Sequence, residues 1–131
     1  VYIVIIGSGR IGSTTARKLG DNGHDVVIID SSVENLENTG GSFNGQKIKG
    51  IEFDNDTLIE AGIEKADVFL ALTPDDNKNI VACRIAKDIF SVKKVIARVS
   101  NANIENMYKA LGIETVNPIS LAVSTIENKI F

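Results

Sequence analysis

Six short runs of aliphatic, largely β-branched residues alternate with longer stretches whose apolar residues recur at helical spacing. This alternation constrains the chain more than any other feature, because it is the pattern of βαβ units and a mostly parallel sheet. The runs fall at residues 1–6, 26–30, 46–51, 68–73, 94–98 and 114–116. The first, second and fourth are apolar at nearly every position, as strands covered by helices on both faces need to be. Helices are expected at 11–21, 32–38, 55–61, 76–90, 104–111 and 118–130, with the second the weakest and 38–46 a loop. Gly20, Gly62 and Gly112 fall where helices should stop. Asn117 followed by Pro118 reads as a cap and a first helical position. The expectation is an α/β, doubly wound sheet of six parallel strands in the order 3-2-1-4-5-6, as a single domain over residues 1–131.

Composition narrows the function. At 131 residues there is room for one domain and none for a separate substrate domain. Fourteen basic against 17 acidic residues give a net charge of -3, which excludes the electrostatic footprint of a nucleic-acid binder. The longest apolar runs fall far short of the ~20 residues that a membrane-spanning helix takes. One cysteine, Cys83, cannot make an intramolecular disulfide, and no leader opens the sequence, so a cytoplasmic setting is expected. The chain begins at Val1 inside an apolar run and has a single methionine, Met107, so it reads as a piece of a longer protein.

Gly7-Ser8-Gly9-Arg10-Ile11-Gly12 fits G-x-G-x-x-G between the first apolar run and the first helix, the context that gives the pattern meaning. Gly7 would serve a tight turn, Gly9 would admit a pyrophosphate to the backbone, and Gly12 would let helix and strand pack closely. Asp30 ends the second run at the spacing of the carboxylate that accepts from an adenosine ribose, with Ser31 beside it. A carboxylate there would repel a 2′-phosphate, so NAD(H) or ATP/ADP is expected over NADP(H). Arg10 either reaches a bound phosphate or projects into solvent, and spacing does not decide. No catalytic set can be assembled. His24 lies in a turn on the opposite edge of the sheet, and Cys83 falls on the apolar side of its helix. Asp54, Asp56, Asp75 and Asp76 suit helix N-termini better than a metal cage, and no metal site is expected.

The sequence resembles the RCK (regulator of K+ conductance) N-lobe, also called the KTN or TrkA-N domain, over essentially its whole length. The resemblance rests on Ile3 through Gly12 with the arginine at 10, and on Gly23-His24-Asp25 through Asp30. It continues through Thr57-Leu58, Ala61 through Asp67, Ala71-Leu72-Thr73 with Asp76 and Asn79, Ile96 through Val99, and Leu111-Gly112-Ile113 leading to Asn117-Pro118. It implies a Rossmann-like, non-catalytic domain that binds NAD(H) or ATP/ADP and controls a K+ channel or uptake system at the membrane. Residues 7–12 and Asp30 would hold the nucleotide, Leu72 and Thr73 would line the crevice, and Arg98 belongs to the same pattern. Dimers through the last helix, and higher rings, are implied too. Ile119, Ala122, Val123, Ile126 and Ile130 form an apolar stripe there, which fits either a partner or the domain's own sheet.

Two positions depart from the family. Where it reads Gly-Asp-Ala-Thr, this chain has Gly50-Ile51-Glu52-Phe53, so the carboxylate expected near the adenine is missing at Ile51. Glu52 is one position over, and neighbouring side chains on a strand point to opposite faces. The acidic residue that in some members follows the proline and helps bind a divalent ion is Ile119. The rival from another class is the cofactor half of an NAD-dependent dehydrogenase whose substrate domain lies outside this sequence; an orphan nucleotide-binding protein is a third.

Overall fold

The computed structural model describes all 131 residues, Val1 to Phe131. Six strands, β1 (Tyr2–Ile6), β2 (Asp25–Asp30), β3 (Gln46–Lys49), β4 (Val68–Ala71), β5 (Lys94–Arg98) and β6 (Glu114–Val116), form one sheet in the order β3-β2-β1-β4-β5-β6. Every pairing is parallel, with Ile5 opposite both Ile28 and Leu70. The order reverses between β1 and β4, which opens a crevice at the carboxyl edge of those two strands.

Helices α1 (Arg10–Asp21), α2 (Val33–Glu37), α3 (Asn55–Glu60), α4 (Asp76–Arg84), α5 (Ala102–Ala110) and α6 (Pro118–Ile130) follow the strands in turn. The sheet separates two apolar layers. Val4, Ile6, Phe69, Val95 and Ala97 pack toward α3 and α4, together with Leu58, Ile80 and Cys83. Ile3, Ile5, Val26, Ile28 and Leu70 pack on the other face with Ala16 of α1 and Leu36 of α2. Alternation along each strand therefore feeds both layers at once, which is why β1 and β2 carry almost no polar residue.

Three local features differ from the sequence expectation, and a fourth bears on an alternative that the sequence left open. Gly20 does not end α1: it lies inside the helix, buried near Phe43, and Gly23 at φ +89° makes the left-handed turn instead. The expected helix 76–90 divides, since Ile85–Ile89 widens into a π-helical turn. It closes on Ser91, which holds φ +57° without being glycine. β3 stops at Lys49 rather than continuing to residue 51: the Gly50 N–H still donates to the carbonyl of Asp30 at 3.1 Å, continuing the ladder with β2, and the chain leaves the sheet after it. Lastly, α6 does not pack on its own sheet: from Ile119 to its end every residue is exposed, including Ile126 and Ile130.

Candidate functional site

Five of the six helices carry a side-chain cap. Ser32, Asp54, Asp75, Asn101 and Asn117 each accept from a first-turn N–H of the helix that they precede. Helix α1 alone has none, and no acidic residue stands in its first turn. The N–H groups of Gly9, Ile11 and Gly12 donate to no acceptor in the protein. These amides and the positive end of the helix face the crevice at the end of β1, an arrangement suited to an anion.

The three glycines of the turn have different reasons to be glycine. Gly7 sits at φ +93°, and a Cβ there would come within 2.7 Å of the Thr73 nitrogen. A Cβ on Gly12 would collide with the carbonyl of Gly7. Both are demanded by packing. Gly9 is not, since a Cβ there would meet nothing within 4 Å and its φ of -68° suits any residue. The space above Gly9 is therefore open, beside the free amides.

Asp30 is 5% exposed and anchors the loop that carries these amides. Its Oδ2 accepts from the Ser8 N–H at 2.8 Å and the Ser8 hydroxyl at 3.1 Å. Its Oδ1 accepts from the Ser32 N–H at 2.9 Å and from the Asn35 amide at 3.5 Å. Ser8 is wholly buried, and its carbonyl accepts from the Asn38 side chain at 3.2 Å.

Across the crevice, Leu72 and Thr73 are buried at the end of β4. Asn79 of α4 fixes this edge: its Oδ1 accepts from the Thr73 N–H and hydroxyl at 3.0 and 2.7 Å, while its Nδ2 donates to the carbonyls of Thr73 and Arg98 at 2.8 and 2.9 Å. One fully buried amide thus ties the ends of β4 and β5 together. Asp76 does the same for the next loop, accepting from the N–H groups of Ser100 and Asn101.

Residues 51 and 52 face opposite ways, as neighbouring strand residues do. Ile51 is 57% exposed, whereas Glu52 is 3% exposed and accepts from the Ser31 N–H at 3.0 Å. Both residues lie beyond the end of β3. The other Glu52 oxygen is 3.6 Å from the ammonium of Lys78 in the first turn of α4. No sequence signal marks Lys78, since the pairing joins elements that only the crossover of the sheet brings together.

Two arginines border the crevice without an ion pair. Arg10 is exposed and makes no side-chain hydrogen bond. Arg98, half-buried at the end of β5, projects on the α1 side of the sheet, as Ile96 two residues earlier does. Its Nε is the only buried side-chain nitrogen or oxygen in the protein without a hydrogen-bond partner. The groups with shifted pKa values lie elsewhere. Burial pushes the Cys83 thiol up to about 12, and burial, followed by the nearby Asp25 carboxylate, raises the phenol of Tyr2. Asp54 and Asp75 act as helix caps.

The fold and this turn define a doubly wound domain of the Rossmann type, with its free amides at the switch point. The chain belongs to the TrkA-N domain family, whose model matches residues 3–118. It is 45% identical over 116 residues to the Trk system potassium uptake protein TrkA of Streptomyces coelicolor, a match covering 88% of this chain and 52% of that protein. It is 37% identical over 131 residues to the TrkA homolog of Methanothermobacter thermautotrophicus, covering 99% of this chain and 60% of that one. The chain therefore spans between half and three-fifths of the length of these relatives. Among solved structures, GsuK bound to ADP superimposes with a TM-score of 0.82 at 25% identity, covering 97% of this chain and 33% of that chain. No helix here is long and apolar enough to cross a membrane.

Proposed function

We propose that this chain is a non-catalytic, nucleotide-sensing domain that binds NAD(H) or ATP/ADP on the β1–α1 turn and regulates a K+ uptake system or channel. The observation that carries the nucleotide part is the uncapped start of α1, with its unpaired amides below the open space at Gly9. The relatives' names as Trk potassium uptake proteins, and the ADP of the GsuK structure, support the choice of system and ligand class. Arg10 and the orphaned guanidinium of Arg98 supply cations toward the phosphates. Asp30 excludes a 2′-phosphate from the ribose end: at about 4 Å the like-charge contact costs roughly 1 to 4 kcal/mol.

Output through a partner follows from α6. Its apolar residues find no cover within the chain, and a second copy supplies it. Nucleotide binding acts on the membrane protein to the extent that affinity differs between two geometries of that dimer. A calorimetric panel of NAD+, NADH, NADPH, ATP, ADP and AMP tests the proposal. Saturable binding of NAD(H) or ATP/ADP, with NADPH weaker, is expected; a folded protein that binds none of them at millimolar concentration overturns it.

A further inference from the structure

We propose that Asn44–Gly45 is a site of self-modification, at which the Asn44 amide is lost through a cyclic imide to give aspartate and isoaspartate, while the fold protects the matching pair Asn22–Gly23. The site lies just ahead of β3, at the amino edge of the sheet, and does not depend on the nucleotide reading above.

The chemistry uses the chain's own atoms and water. The backbone nitrogen of Gly45 attacks Cγ of Asn44, and the new N–C bond closes a five-membered imide. The Cγ–Nδ2 bond breaks, and the amide group leaves as ammonia with the proton that the Gly45 N–H gives up. Water then opens the ring at either carbonyl. One opening restores the ordinary backbone as aspartate; the other routes the backbone through the side chain as isoaspartate. Glycine favours the closure because it has no Cβ to crowd the ring and admits a wide range of backbone angles.

The sequence holds Asn-Gly pairs at 22–23 and 44–45, and all four residues are exposed. Backbone hydrogen bonds separate them. The Gly23 N–H, which must lose its proton to become the nucleophile, donates to the carbonyl of Gly20 at 3.1 Å. Its neighbours are held as well, since the Asn22 and His24 N–H groups donate to the carbonyls of Lys18 and Leu19, both at 3.1 Å. A proton held in this way is released only when the turn opens. At the second pair, neither the Asn44 nor the Gly45 N–H donates to an acceptor in the protein, so the nucleophile is free without any opening. Packing keeps the reactive pair in place, because a Cβ at position 45 would collide with the Val26 carbonyl and the Phe43 ring.

The product has a place in the structure. Asn44 lines a slot with Tyr2, Asp25 and Gln46, so its conversion sets a second carboxylate beside Asp25. Isoaspartate also lengthens the main chain by one methylene directly ahead of Gln46, the first residue of β3 to pair with β2.

The test incubates the folded chain at neutral and mildly alkaline pH and follows the mass change from amide to acid. Fragment ions assign it to each asparagine, because no Lys or Arg separates the two pairs. Asn44 is expected to react about tenfold faster than Asn22, the factor that corresponds to breaking one net hydrogen bond. The rate should rise with pH, Asn44→Ser should remove the fast event without changing Asn22, and in urea above the unfolding transition the two rates should converge. A folded chain in which Asn44 keeps its amide as long as Asn22 does overturns the inference. A difference of the same size that persists in urea overturns it too, since local sequence and not the fold would then set the rates.

Discussion

Replacing Gly9 by alanine separates what the glycine turn does for the fold from what it does for a ligand. At φ -68° and ψ -163° alanine is unstrained, and its Cβ would have no neighbour within 4 Å. Alanine restricts the unfolded chain, a gain of about 0.4–1 kcal/mol. It is also a poorer residue than glycine at the position preceding a helix, by several tenths of a kcal/mol or more. The two effects offset, so the melting temperature should stay within about 3 °C of wild type. Binding should behave otherwise. The methyl group occupies the space over the unpaired amides, and losing two hydrogen bonds to a charged phosphate at ~1.5 kcal/mol each removes about 3 kcal/mol. That is roughly 100-fold in affinity. Gly7→Ala is the contrasting control: it adds left-handed strain and a contact of 2.7 Å with backbone, and should destabilise by more than about 2 kcal/mol. Thermal unfolding and calorimetry with NADH and ADP on the same samples decide the matter. A Gly9→Ala chain that binds both nucleotides like wild type would refute the assignment of the space above Gly9 to phosphate. A melting point lowered by ten degrees would refute the account of Gly9 as free of packing demands.

Arg98→Met should leave stability unchanged or raise it by about 1 kcal/mol, since it removes a buried donor without a partner, yet should weaken nucleotide binding; chemical denaturation and calorimetry check the two halves. Ser91→Gly should stabilise by about 1 kcal/mol in urea unfolding, because glycine occupies φ +57° without steric cost. The Cys83 thiol gives a pH signature. Burial holds its folded pKa at about 12, above the ordinary thiol value of 9.0, so folding favours the protonated form. Its contribution is complete below pH 9 and is lost as pH rises toward 12, by about 1.4 kcal/mol per unit. Cys83→Ala should flatten that limb of the stability profile. Replacing Val123 and Ile126 of α6 by aspartate should abolish dimers in sedimentation while leaving the domain folded, since both side chains are exposed.

The strands β1, β2 and β4 were legible in the sequence because burial on both faces leaves an unbroken apolar run, a signal that needs no knowledge of neighbours. The sheet order followed too, since the glycine turn marks the switch point of a doubly wound fold. Boundaries were less legible. Gly20 resembled a helix stop, but the left-handed residue is Gly23, and a glycine packed against an aromatic ring looks the same in sequence as a glycine that caps. The widened turn at Ile85–Ile89 left no trace in the pattern.

Within the site, local chemistry determined the glycine turn, Asp30 and the caps Asp54, Asp75 and Asn117, because each acts within a few residues or at a spacing set by one βαβ unit. Tertiary structure decided the rest. Glu52 meets Lys78 only because the crossover brings the start of α4 beside the segment that follows β3. Arg98 is orphaned because no acidic side chain from another element reaches it. Helix α6 carries a stripe equally suited to an internal or an external partner, and only the folded chain shows that its own sheet leaves that stripe bare. The physical division is between interactions local along the chain, which spacing encodes, and pairings across the carboxyl edge, which exist only once six strands are laid in order.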